Sequence, residues 1–243
     1  MVSALPFEDF RTLLDKLPGP DGQAETSVRE VFAKAALAQG PLGRMEDIAV
    51  WFAGWTGRAR PQVTRPLVAI FAGTHGVAAQ GISPRPVSAT AEAVELCAAG
   101  GAAINQVCLT YDLGLKVFDL ALDLPTGDIT REPALNERGC AATMAFGMEA
   151  IAGGSDLLCL GELGVGNSTV AAALLAALFG GEGRDWVGPG SGSDAAGVAR
   201  KAAIVDQALA LHGSHLADPL EALARVGGRE FAAIAGAILA ARM

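Results

Sequence analysis

Tyrosine is nearly missing from this chain, with one residue in 243, and aromatic residues together make up 5%. The core must therefore be built from aliphatic side chains, alanine and glycine. Glycine alone contributes 31 residues. Small residues let helices and backbone approach closely, which suits layered α/β packing. Positive charge is also scarce: 18 Lys and Arg stand against 26 Asp and Glu, for a net charge of −8. With no basic block, the chain lacks the clustered cations that nucleic acids and anionic membranes require. An anionic ligand needs a local site instead, such as free amides at a helix start. The four cysteines, Cys97, Cys108, Cys140 and Cys159, form no C-x-x-C pair and lie in apolar context, as expected for buried free thiols in a reducing compartment. No apolar run is expected to reach the roughly 18 residues that span a bilayer. The segment Met1 to Phe10 has no cationic start before an apolar stretch and does not read as a signal peptide. The cytoplasm is the expected location. Three scattered histidines with no ligand spacing predict no metal, and no motif asks for a cofactor. A G-x-S-x-G elbow is also absent.

What is present reads as two regions. Residues 1–60 are expected to form a small helical lobe, with helices at about 7–17, 26–38 and 44–55 from their three- and four-residue apolar spacing. Thr26 or Ser27, with Glu30, looks like a capping box. Residues 61–243 are expected to form an α/β domain with a mainly parallel sheet and flanking helices, a Rossmann-like three-layer arrangement. Its strands are Leu67 to Phe71, Lys116 to Ala121 and Asp156 to Leu160. Helices are expected at about 88–99, 137–152, 168–179, 195–211, 219–225 and 228–241. The last strand ends at 160 and only helix and glycine loop follow, so the sheet reads as unfinished.

The strongest local signal is Gly161-Glu-Leu-Gly-Val-Gly-Asn-Ser-Thr169, which follows a strand and opens a helix. Such a turn presents free N–H groups at the positive end of a helix dipole, and Asn167 or Ser168 can cap that helix. A P-loop needs Lys where Asn167 stands, which argues against NTP hydrolysis. The glycines run G-x-x-G-x-G, which is not the dinucleotide fingerprint. A single phosphate and a bare structural turn both remain open on this loop alone. Glu162 follows the strand at the carboxyl edge, where open α/β sheets bind ligands, and a carboxylate there can accept a hydrogen bond from a ring N–H. A second glycine loop, Gly188-Pro-Gly-Ser-Gly-Ser-Asp194, also opens a helix, with Arg200 and Lys201 further along. His75, after the first strand, is expected at the same rim. His212 and His215 stand near a helix end, where the dipole favours their charged form.

Four blocks occur in the order and spacing of a known family. They are Phe71-Ala-Gly-Thr-His-Gly-Val77 with Gly81-Ile-Ser83, Gly100-Gly-Ala-Ala-Ile-Asn105, the 161–169 block, and Gly190-Ser-Gly192 with Lys201. Leu42-Gly-Arg-Met-Glu-Asp-Ile48 fits the approach to the first strand. In these the chain resembles nicotinate-nucleotide–dimethylbenzimidazole phosphoribosyltransferases over about residues 26–241. The resemblance implies transfer of ribose 5-phosphate from nicotinate mononucleotide to 5,6-dimethylbenzimidazole, giving α-ribazole 5′-phosphate for the cobalamin lower ligand, by a homodimer. It implies that Glu162 faces the benzimidazole and that Ser83 lies near the base pocket. Gly164, Gly166, Asn167, Ser168 and Thr169 would hold the nucleotide, with Gly190, Gly192 and Lys201 around its phosphate. His75 joins these as a candidate substrate contact. Three departures stand out. Thr74 replaces the usual Asp, Ser168 replaces the usual Thr, and the family continues past 241 into strands and a glycine-rich segment carrying the glutamate assigned as general base. The alternative expectation is a non-catalytic nucleotide- or benzimidazole-binding paralogue or fragment.

Overall fold

The computed structural model describes residues 6–35 and 42–243. Three helices open the chain: α1 (Pro6–Leu14), α2 (Gly22–Lys34) and α3 (Arg44–Thr56). Strand β1 (Pro66–Ala72) follows, then α4 (Ala89–Ala98), α5 (Ala103–Tyr111) and β2 (Gly114–Asp119). Next come α6 (Glu137–Ala150), β3 (Leu157–Leu163), α7 (Asn167–Phe179) and the single turn α8 (Gly183–Trp186). The chain closes with α9 (Ala195–His212), α10 (Pro219–Val226) and α11 (Arg229–Arg242). Among the described residues there is one sheet, parallel throughout, in the order β2-β1-β3.

Register explains both the packing and the placement of the site. Leu67, Ala69 and Phe71 pair with Leu158, Leu160 and Glu162, so these six share one face. That face meets α6 and α11 through Ala150, Ile151, Ala233 and Ala237. Phe71 stacks on Phe118 with ring centroids 5.0 Å apart. The α6–α11 crossing is close because Gly147 faces the Ala233 carbonyl and Gly236 faces the Met144 carbonyl; a Cβ at either would collide with backbone. Helices flank the sheet as expected, more densely on this face, while α4 and α5 lie against β2.

Several expectations change. β3 runs to Leu163, so Glu162 is a strand residue paired with Phe71 rather than a loop residue after the strand. The expected helical lobe divides. Phe7 and Phe10 of α1 enter the core beside Cys140, Met144 and Leu220, whereas α2 and α3 keep a separate cluster around Ala24, Val28, Val50 and Ala53. Asp21, not Thr26 or Ser27, caps α2, its Oδ1 accepting from Gln23 and Ala24 N–H at 2.9 and 3.0 Å. Thr26 and Ser27 lie inside the helix, donating to carbonyls four residues back. The predicted end of that helix, at 36–38, lies outside the described residues. Cys159 is exposed, unlike the other three thiols, and burial pushes the Cys140 thiol up to about 12. His212 is buried and its Nε2 lies 2.9 Å from the Ile129 carbonyl. Burial lowers its pKa, overriding the helix-end effect. Ala89–Tyr111 is long and apolar enough to cross a membrane by length and hydropathy, although Gly100, at φ 78°, separates α4 from α5.

Candidate functional site

The turn after β3 is shaped by close approaches. Gly164 packs so tightly that a Cβ would lie 2.6 Å from the Gly73 carbonyl. Gly166 has φ 94°, in the left-handed region that glycine adopts readily, and it precedes α7 with no side-chain cap. Neither Asn167 nor Ser168 caps this helix, because both already lie in its first turn. No side chain caps α7; Asn167 and Thr169 N–H donate to the Gly164 and Gly166 carbonyls at 3.4 and 3.0 Å, and Ser168 N–H is the open amide at the positive end of the helix dipole. Val165 N–H donates to Thr90 Oγ1 at 3.0 Å, fastening the turn to α4.

The second glycine turn comes to the same place. A Cβ on Gly190 would stand 3.1 Å from both Lys201 Nζ and Ser168 Oγ. Lys201 projects from α9, is 3% exposed, and donates to the Gly188 and Pro189 carbonyls at 3.2 and 3.3 Å. Burial lowers its pKa. Asp194 caps α9 as expected, accepting from Gly197 N–H at 2.8 Å. That cap occupies the α9 start, so this turn contributes Gly190 and Lys201 rather than a second open helix end.

Between the two turns lies a cavity of about 320 Å³. Gly164, Gly166, Asn167 and Ser168 form one side, Gly190, Ser191 and Lys201 another, and Ser83, Arg85 and Thr90 face them. Glu162 stands at its edge. By accessible surface Glu162 is exposed, yet enough protein surrounds it for desolvation to push its carboxyl up. The nearby Glu230 charge raises it further and His75 pulls it down.

Eight of the eleven residues singled out from sequence line this cavity. His75, Thr169 and Gly192 do not. The His75 side chain is fully buried and turned toward Glu230, and Thr169 is 0% exposed within α7. Both are buried side chains that do not reach the pocket lining. Thr74 is buried and donates to the Leu122 carbonyl at 3.0 Å, so this position keeps a polar contact without the family's usual Asp. Arg85 and Thr90 were missed in the sequence reading. The Pro-rich stretch before α4 carries no spacing that would have marked them.

The family model described as "Phosphoribosyltransferase" matches residues 17–243. The nicotinate-nucleotide–dimethylbenzimidazole phosphoribosyltransferase of Rhizobium rhizogenes strain K84 is 67% identical over 242 residues, covering 100% of this chain and 71% of that protein. The chain belongs to the nicotinate-nucleotide–dimethylbenzimidazole phosphoribosyltransferase family. The Brucella anthropi protein of the same name is 66% identical with the same coverage. Among solved structures, CobT from Thermus thermophilus superposes with a TM-score of 0.79 at 34% identity, over 90% of this chain and 71% of that one. Against these members of the family the chain thus spans about 71% of their length. The two glycine turns, Ser83 and Glu162 are among the blocks by which the sequence resembled it.

Proposed function

We propose that this chain moves ribose 5-phosphate from nicotinate mononucleotide to 5,6-dimethylbenzimidazole, forming α-ribazole 5′-phosphate and nicotinate. The observation that carries this reading is the convergence of both glycine turns, Ser168 and Lys201 on one cavity with Glu162 at its edge. The phosphate would be held by the open α7 amide, the Ser168 hydroxyl and the Lys201 ammonium, a charge-assisted set. Ser83 and Glu162 would address the azole. One azole nitrogen attacks C1′ while the bond from C1′ to the pyridinium nitrogen breaks, and its electron pair leaves with nicotinate. The leaving group starts cationic and departs neutral, so positioning supplies much of the rate. Glu162 accepts the hydrogen bond from the other azole nitrogen and can take its proton, a role that a raised pKa suits.

The reading includes a homodimer, supported by the exposed apolar residues Met45, Ile48, Trp51 and Trp55 along α3, and a cytoplasmic location, supported by the sparing use of cysteine. Incubation with both substrates, followed by chromatography of the products, tests it. α-Ribazole 5′-phosphate is expected, and its formation should fall in Glu162→Gln. Binding of both substrates without product would favour the non-catalytic alternative, and binding of neither would overturn the assignment of the cavity.

A further inference from the structure

The most deeply buried ionisable pair in the described residues lies under the cavity, and the transfer chemistry does not use it. His75 and Glu230 are both 0% exposed, with Nε2 2.9 Å from Oε1. The contact is close but poorly aligned, and neither atom has an oriented hydrogen-bond partner; His75 Nδ1 and Glu230 Oε2 have none either. Burying two ionisable groups costs several kcal/mol per ion before their attraction offsets it. An apolar pair would fill this volume without that penalty.

The backbone around the pair is shaped to admit it. A Cβ on Gly73 would run into the Glu230 carboxylate, and one on Gly228 would meet both His75 and Glu230. Gly73 N–H donates to the Leu163 carbonyl at 2.9 Å, which extends the β1–β3 ladder one step beyond Glu162. On the cavity side, a Cβ on Gly164 would stand 3.5 Å from His75 Nε2. The pair therefore supports the strand end that carries Glu162 and the turn that follows it. Glu230 is in the first turn of α11, whose start has no side-chain cap, which places it at the positive end of the helix dipole.

We propose that His75 and Glu230 are a positioning pair for Glu162: buried beneath the rim, they fix the end of β3, and their charge sets the field in which Glu162 takes and releases a proton. The Glu162 carboxyl is raised first by desolvation, then by the Glu230 charge, and lowered by His75, and the last two directions agree with this geometry. The other charged groups facing Glu162 are Arg85 and Lys201 across the cavity; Asp119, two strands away, belongs to the opposite face of the sheet. Arg229, beside Glu230, turns away to the Leu124 carbonyl.

The proposal rests on reading Glu162 as the group that meets the azole, but its test needs no ligand. The Glu162 carboxyl resonance is followed against pH in ¹³C-glutamate-labelled protein, with Glu162→Gln identifying the signal. Glu230→Gln keeps the shape and removes the charge. It is expected to move the Glu162 titration to lower pH by about half a unit or more. Should that variant fail to fold, the double variant His75→Gln/Glu230→Gln replaces the pair with two amides that can bond each other, and a smaller downward shift is expected, because the opposing effect of His75 is removed as well. A folded variant of either kind with an unmoved Glu162 titration would reduce the pair to a structural contact and overturn the proposal. If the wild-type protein binds no azole but the shift is seen, the functional reading fails and this one stands.

Discussion

Two concavities on this molecule invite comparison. The rim cavity is about 320 Å³ and gathers an amine, hydroxyls, a carboxylate and a helix-start amide. The groove between α1, α7, α10 and α11 is larger, about 760 Å³, and is walled by Leu174, Leu178, Leu223, Ile234 and Ile238. Its two charged residues, Arg11 and Asp218, are 2.5 Å apart and engage each other. Volume alone would choose the groove. Binding with orientation needs several polar groups that converge on one space, and that criterion chooses the rim.

The largest effect should come from removing the buried cation. Lys201→Met is expected to weaken nicotinate mononucleotide binding about 10- to 100-fold, the scale of a lost charge-assisted contact, and to leave binding of an apolar dye in the groove unchanged; calorimetry and dye fluorescence read the two. Next is Glu162→Gln, which should weaken azole binding about tenfold. Because the Glu162 carboxyl is raised, wild-type azole affinity should climb as pH rises through its titration, and this climb should vanish in the variant once the azole's own protonation is subtracted. The stability linkage has the opposite sign. Whatever Glu162 contributes to folding is complete below the ordinary glutamate range and is lost as pH rises through its raised folded value.

Smaller effects probe regions away from the rim. Asp21→Ala should cost about 1 kcal/mol by uncapping α2, seen as a lower denaturation midpoint with ligand affinities unaltered. Ile238→Ser in the groove, at a side chain already 48% exposed, should change stability by less than about 0.5 kcal/mol and alter dye binding alone. A drop in nucleotide affinity from Ile238→Ser would break the distinction between the two concavities.

Local signals made much of this legible in the sequence. The 67–71 run and the glycine stops placed β1 and the ends of the later helices, because continuous apolar runs and turn residues carry their own geometry. Convergence of the two glycine turns was anticipated, since the resemblance set both around one nucleotide. What escaped the sequence depends on register and long-range packing. That Glu162 shares the Phe71 face, the one α11 packs against, follows from the β1–β3 register, which no single strand encodes. The partnership of His75 with Glu230 spans most of the chain, and a lone Glu at a helix start reads as solvated. Asp21 was overlooked because Thr26, Ser27 and Glu30 offered a more familiar capping pattern five residues on.

The account depends on the rim cavity being a phosphate site governed by Lys201. Titration of nicotinate mononucleotide into the wild-type chain and into Lys201→Met, by calorimetry at one salt concentration, tests this most directly. A single saturable site in the wild type that weakens at least about tenfold in the variant is the predicted result. Equal affinity in the two proteins would contradict it.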